Sequence, residues 1–520
     1  MSKLSGILKK YSLLWFIFTL LIVSFYYNYH HILTLRPVGI HQWRNTISAS
    51  YAQNYYHEGD FFHPRTHGLL AEEGSSDVAV SEFPIMYYFI AQLYKLFGFN
   101  ETIYRLVNVL IGFAGLIFLY LFCRKRIGNN LLSFVIPLFV FTSPIYVFYT
   151  NNFITDATAL SLALIGLYYL GEYYHEQNSK YIRWFLFWLV MAGLFKTPSL
   201  LIYFAVLAIL IIQHVFKRLE MLPNRHLKRN YLWFLLSFVI MAAWYAYAKI
   251  YTDAHGGGVS AVEIRPFWII GNKTIGLTLE AMKMRFLNGN YHQPVFLIVS
   301  LLLTVLNIIF FRRYNRFYSL LMLFTFIGGI SFTVLFFRSM RHHDYYQINN
   351  LMIIALIYIS LGFYIKNNKP NWFRTYWFNG ILAAGTLFLV IECKQFIDKR
   401  YSDYHHYSSN KNVHRYGHIR GYLDSLGISR YDTVYVTPDR SLGINLYLMD
   451  QKGYTDVMVP KGDINKRIEY VGEKSADYVI IGDTSEVNID RINPDLAQKI
   501  GEKNGVFVFK LNRINKLNPW

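Results

Sequence analysis

Stretches of apolar residues as long as a membrane-crossing helix recur along most of this chain, and that recurrence constrains its fold more than any single motif. A hydrocarbon core of roughly 30 Å takes about 20 helical residues to cross. About eleven stretches qualify: near 12–34, 103–123, 131–149, 155–173, 181–195, 198–216, 231–250, 293–311, 317–337, 346–365 and 376–393. Lys196-Thr197-Pro198 breaks one continuous apolar region into the fifth and sixth of these. With 54% hydrophobic and only 16% charged residues, a soluble globular protein of this length is excluded.

Every second connection between these stretches is basic: Lys3, Lys9 and Lys10; Arg124, Lys125 and Arg126; Lys217, Arg218, Arg225, Lys228 and Arg229; Arg312, Arg313 and Arg316; Lys366, Lys369 and Arg374. The positive-inside rule places those connections and the N-terminus in the cytoplasm. Topology then accounts for most of the formal charge of +19, and no nucleic-acid partner is needed. The first stretch reads as a retained anchor, because it is long and lacks a small-residue cleavage pattern. Cys123 and Cys393 fall at opposite faces of the bilayer, too far apart for a disulfide.

A partition follows from composition. Residues 1–395 make a transmembrane domain, with 36–100 as a long first outer loop, and residues 396–520 make an outer α/β domain. In the latter, Thr433–Val436, Tyr478–Ile481 and Val506–Phe509 read as strands, while Leu442–Gln451 and Pro494–Lys503 have helical composition.

Four groups in outward-facing segments carry possible chemistry. The first is His41-Gln42-Trp43-Arg44 with Arg65. Arginine holds phosphate through charge-assisted hydrogen bonds, and Trp43 either stacks on a sugar face or sits at the bilayer interface. The second is Glu72, Glu73, Asp77 and Glu82, since a carboxylate at a membrane mouth takes a proton from an acceptor hydroxyl. Glu72 and Glu73 read equally as solvated loop residues, and Glu82 either starts a helix or serves the site.

Asp156 and Lys196 form the third group. Thr155-Asp156 also reads as a helix cap, and Lys196 as a lysine snorkelling to the interface. The fourth is Arg338-Ser339-Met340-Arg341-His342-His343-Asp344-Tyr345-Tyr346. Two outer arginines run against the positive-inside trend and point to an anionic partner. His342, His343 and Asp344 are metal-ligand types, although adjacent histidines point in different directions on most backbones. Together the groups describe an outer cleft suited to a phosphorylated lipid; composition and topology leave a transporter equally open.

The first outer loop ends in Gly59-Asp60-Phe61-Phe62-His63-Pro64-Arg65. Glu82-Phe83-Pro84 follows, with Tyr87-Tyr88, Leu96-Phe97-Gly98 and Arg105 behind it. Thr155-Asp156 begins a later span, Lys196 follows another, and His343-Asp344-Tyr345-Tyr346 sits at a later mouth. Over roughly residues 10–395 this order resembles the bacterial GT-C membrane glycosyltransferases related to the protein O-mannosyltransferase and aminoarabinose transferase families. The resemblance implies a polytopic GT-C-like helical fold with a small outer C-terminal domain. It also implies transfer of a sugar, usually with inversion, from a polyprenyl-phosphate donor to a lipid, glycan or protein hydroxyl.

Those families often carry an Asp-Glu pair early in the first outer loop, where this chain has Trp43-Arg44-Asn45. The resemblance therefore leaves the general base to Glu82, with Asp77 and Asp156 next. Glu82 matches a loop glutamate that a lysine separates from proline in the aminoarabinose transferases, and Phe83 stands in place of that lysine. Donor phosphate then falls to Arg44, Arg65, Lys196, Arg338 and Arg341, and sugar or acceptor to His41, Trp43, His343, Asp344, Tyr345 and Tyr346. No cofactor is expected to be required, with a divalent metal left open. The expected location is a bacterial cytoplasmic membrane, with membrane lipids as surroundings. A lipid-linked sugar flippase and a polysaccharide polymerase or ligase are the rival readings.

Overall fold

A computed structural model describes residues 11–70, 74, 76–216, 221–222, 227–255, 264–402 and 413–512. Lys3, Lys9, Lys10, Glu72, Glu73, Lys217, Arg218 and Arg225 lie outside the described residues. The chain separates into two compact units. One takes in the described residues of Met1–Thr34, Arg105–Trp244 and Glu263–Lys399; the other takes in those of Leu35–Tyr104, Tyr245–Val262 and Arg400–Trp520. This differs from a linear partition at 395/396, because the first loop packs with the C-terminal residues.

The first unit is helical. Among the described residues, six helices are long and apolar enough to cross a membrane: Glu101–Arg126, Thr197–Val215, Lys228–Ala254, Arg316–Leu335, Asp344–Asn368 and Tyr376–Tyr401. A seventh is added if Asn130–Val140 and Pro144–Thr150, bent by 74° to each other, count as one span. Ser12–Tyr26 and Pro294–Ile309 are apolar but shorter. The other two predicted spans are helical as well, at Asp156–Glu176 and Ser179–Phe195. A further helix, Asn272–Leu287, lies between the predicted spans 231–250 and 293–311.

Close packing depends on small residues, as is usual where helices associate in lipid. A Cβ on Gly115 would stand 2.7 Å from the Ser161 backbone, so Glu101–Arg126 and Asp156–Glu176 meet main chain to main chain. At the other end of this pair, Lys125 and Arg126 donate to buried Glu172 at 2.6 and 2.8 Å. Part of the basic block expected to flank the bilayer is therefore neutralised by a carboxylate. Asp344–Asn368 is central, with 83% of its apolar window buried, against 28% for Tyr376–Tyr401.

The second unit contains a five-stranded sheet in the order β2-β1-β3-β5-β4. The strands are β1 Val434–Thr437, β2 Gly453–Tyr454, β3 Tyr478–Ile481, β4 Ala497–Lys503 and β5 Val506–Leu511. β1 pairs in parallel with β2 and β3, whereas β5 runs antiparallel to β3 and β4. Three strands and the helix Ile444–Met449 lie where the sequence places them. Pro494–Lys503 does not: it supplies β4 rather than a helix. Asn504 and Gly505, both at positive φ, form the two-residue turn that joins β4 to β5 and fixes the hairpin.

The first loop extends this sheet. Gly68 bridges to Gly453 in parallel, with Leu69 N–H donating to Gly453 O and Gly453 N–H donating to His67 O, each at 3.0 Å. The loop also carries the helices Gln42–His57 and Ile85–Phe97. The first has most of its residues buried despite its polar sequence, so its side chains need partners within the unit.

Candidate functional site

Sequence-predicted residues gather into one set in each unit. In the helical unit, Ser179–Phe195 stops at Lys196, whose backbone is extended, and a single tight turn over Thr197–Leu200 leads into Leu201–Val215. Pro198 has no N–H to continue the helical ladder, so the break is written in the sequence. Lys196 Nζ stands 3.5 Å from Asp156 Oδ2 and 5.8 and 5.7 Å from the ring centres of Tyr345 and Tyr346. Asp156 is fully buried in the first turn of its helix, and the lysine offsets a charge that is expensive to leave alone there.

Lys196's aromatic neighbours belong to a connected group. Tyr345 Oη lies 2.9 Å from His343 Nδ1, and the His343 ring stacks on Tyr346 with centres 5.3 Å apart. Tyr149 donates its hydroxyl to buried Asp344 at 2.6 Å and meets Tyr345 edge to face. Asp156, Lys196, His343, Asp344, Tyr345 and Tyr346 are thus brought together, joined by Tyr149, which sequence reasoning missed because a tyrosine in an apolar run gives no signal.

Arg338 is exposed and Arg341 half-buried, and neither has a carboxylate partner among the described residues. Arg285, also missed, donates to Met340 O at 2.5 Å and to Arg341 O at 2.8 Å, fixing the turn that carries both arginines. Fully buried Arg105 donates to Asn151 O and lies 4.4 Å over the Phe153 ring. It holds the segment leading into Asp156. His342 and His343 have ring centres 6.5 Å apart, and no group of three potential metal ligands occurs among the described residues.

In the sheet-containing unit, Arg44 Nη2 donates to both oxygens of Glu82, at 2.8 and 2.7 Å. Tyr87 adds its hydroxyl to Glu82 Oε2 at 2.8 Å. Arg44, predicted for phosphate, and Glu82, predicted as base, are therefore partners. Asp77 accepts from Arg65 at 2.9 Å and pairs with Lys452 at 2.9 Å, so its charge is taken by two cations. His41 adopts a left-handed backbone at the start of Gln42–His57, and Trp43 is half-buried beside Arg44.

A further charged network lies in this unit. His67 links Ser50 Oγ, at 2.8 Å, to Asp450 Oδ1, at 3.1 Å. Arg430 reaches the same Asp450 oxygen at 3.1 Å. Burial would raise the Asp450 pKa, but the hydrogen bond and charge of His67, with Arg430 and His57, hold it well below the ordinary carboxylate range. His57 is pushed below its usual value by burial and by Arg430, against the pull of Asp450. Ser50 and His67 are both buried, so this Ser-His-Asp alignment is a tie between segments and not an exposed nucleophile.

A family model described as dolichyl-phosphate-mannose-protein mannosyltransferase matches residues 81–247, a stretch containing Glu82, Arg105, Asp156 and Lys196. No curated protein matches the sequence. ArnT from Cupriavidus metallidurans in the apo state superposes with a TM-score of 0.57 at 13% identity, over 96% of this chain and 97% of that one. The fold is that of the GT-C membrane glycosyltransferases. ArnT bound to undecaprenyl phosphate also gives a TM-score of 0.57, at 12% identity and the same coverage. The archaeal oligosaccharyltransferase AglB from Archaeoglobus fulgidus, in complex with an inhibitory peptide and a dolichol-phosphate, gives 0.54 at 11% identity, over 92% of this chain and 70% of that one. The GT-C resemblance read from the ordered motifs is therefore shown, and the chain is a multi-pass membrane protein.

Proposed function

We propose that this GT-C protein is a glycosyltransferase that moves a sugar from a polyprenyl-phosphate donor to a lipid, glycan or protein hydroxyl. The observation that carries the reading is Lys196, held at a helix break by Asp156 and two tyrosine rings, on the same unit as Arg338 and Arg341. Cations held in a polar aromatic setting suit a leaving lipid phosphate, whose charge grows as the glycosidic bond breaks. Tyrosine and histidine rings suit a sugar or isoprenoid face. The undecaprenyl phosphate bound to ArnT and the dolichol-phosphate bound to AglB support a donor of this class.

On this reading, Lys196, Arg338 and Arg341 hold the phosphate, and Arg44 and Arg65 serve their carboxylates instead. Glu82 is the acceptor-side base. Arg44 and Tyr87 hold its carboxylate in place, and a carboxylate is the form that accepts a proton. Asp77, clamped between Arg65 and Lys452, is a structural residue. Transfer proceeds with inversion and without a cofactor. On the same reading eleven spans cross a bacterial inner membrane, with the basic connections and the N-terminus cytoplasmic and the C-terminal residues outside.

The test is transfer of radiolabelled sugar from a panel of polyprenyl-phosphate sugars to membrane acceptors, comparing the purified protein with Glu82→Gln. Labelling that depends on Glu82 supports both the activity and the base. Labelling unaffected by Glu82→Gln removes Glu82, and none with any donor, despite lipid-phosphate binding, removes the activity.

A further inference from the structure

A cavity of about 210 Å³ opens within the helical unit, at the bend that separates Asn130–Val140 from Pro144–Thr150. Its walls include Thr142, Pro144, Asn288, Gln293, Glu392 and Phe396. Two of its sides are non-helical backbone, at residues 141–143 and 288–293. In a membrane protein such backbone is tolerated where it is buried in protein or lines a watery cavity. The space equals roughly seven waters, enough for a small polar group and too little for an isoprenoid chain.

Glu392 is the charged group on this wall, and it lies at the C-terminal end of the predicted span 376–393, where the helix Tyr376–Ser402 turns polar. Gln293 Nε2 donates to Glu392 Oε2 at 3.0 Å, and no hydrogen bond among the described residues reaches Oε1. No cationic side chain among the described residues pairs with Glu392; Lys394, two residues on, pairs with Asp398. Thr142 and Asn288 line the same space with a hydroxyl and a carboxamide, groups that accept hydrogen bonds; the Thr142 hydroxyl also reaches Phe139 O and His292 Nε2, each at 3.3 Å.

We propose that this cavity binds a primary ammonium group, borne by a lipid headgroup or by a water-soluble amine, with Glu392 as its counter-ion. An ammonium has three N–H donors, matching the carboxylate, hydroxyl and carboxamide acceptors. An anionic headgroup is disfavoured by the carboxylate. Pro144 on the cavity wall and Tyr149 beside Asp344 share one seven-residue helix, about 8 Å apart along its axis. Occupancy therefore sits close to the Lys196 and Asp344 cluster, although the binding claim does not depend on glycosyl transfer.

The test is retention of phosphatidylethanolamine against phosphatidylglycerol by the purified full-length protein, read by native mass spectrometry, with a parallel thermal shift in free ethanolamine. At least a threefold preference for phosphatidylethanolamine, lost on N-acetylation of the lipid amine and lost in Glu392→Gln, supports a headgroup. A thermal shift with ethanolamine that disappears in Glu392→Gln, with no lipid preference, supports a soluble amine. The unaltered protein compared on native and N-acetylated lipid gives an answer even if Glu392→Gln fails to fold. Equal retention of both lipids together with no ethanolamine shift overturns the proposal, as does any preference that survives N-acetylation or Glu392→Gln.

Discussion

Arg44 and Glu82 form a largely buried ion pair in which one guanidinium nitrogen serves both carboxylate oxygens, with Tyr87 completing the set. Removing one member leaves an uncompensated charge in a place with little water, at a cost of about 3–5 kcal/mol. Replacing both by apolar residues of similar volume avoids that cost. Thermal unfolding of Arg44→Met, Glu82→Leu and the double variant should show the double variant to be more stable than either single one. Additive losses would mean that the two charges are not coupled.

Lys196→Met should weaken polyprenyl-phosphate binding roughly 10- to 100-fold, the worth of a charge-assisted bond of about 1.5–3 kcal/mol. Lys196→Arg should recover part of it, because the charge beside Asp156 survives. Equilibrium binding to a lipid-phosphate probe decides this, and unchanged affinity in Lys196→Met would remove Lys196 from the phosphate site.

Arg341→Ala should raise the donor KM more than it lowers kcat, since its role is to hold a group present before and after the reaction. Arg285→Ala should act in the same direction but less strongly, through the turn at Met340 and Arg341 that it ties. Steady-state kinetics on the two variants separates them; a fall in kcat alone for Arg341→Ala would place it on the transition state instead.

Acid should loosen the sheet-containing unit in two stages. The folded-state pKa of His57 lies below its unfolded value, so its contribution is complete above about pH 6.5 and is lost as the pH falls through the folded pKa. Asp450 is also depressed, so its contribution is complete above about pH 3.9 and is lost below that. Both make stability rise with pH. Hydrogen exchange over residues 420–452 should therefore be slower at pH 7 than at pH 5, after correction for intrinsic rates, and Asp450→Asn should flatten the dependence below about pH 4. Slower exchange at the lower pH would reverse the sign and refute the account.

The helical half was legible because lipid imposes a length on every span, and length survives in a bare sequence. Lys196-Thr197-Pro198 announced its break through proline chemistry, and three of the five strands, β1, β3 and β5, announced themselves through β-branched and aromatic runs. Pro494–Lys503 misled because its composition is helical, while Asn504-Gly505, the stronger local instruction, lies just beyond it. The approach of Arg44 to Glu82, and of Tyr149 to Asp344, was not legible. Each pair is separated by tens to hundreds of residues, and only tertiary packing decides which charged neighbour a side chain finds.

The bridge between Gly68 and Gly453 has a consequence for how the protein is made. Residue 68 leaves the ribosome long before its partner exists. At about 5–20 residues per second, the wait is roughly 20–80 s, during which every span between them must be inserted. The loop bearing Glu82 therefore spends its early life unfinished, and a ribosome that stalls anywhere short of residue 453 leaves a chain that is anchored in the membrane yet lacks the sheet edge against which that loop is shaped.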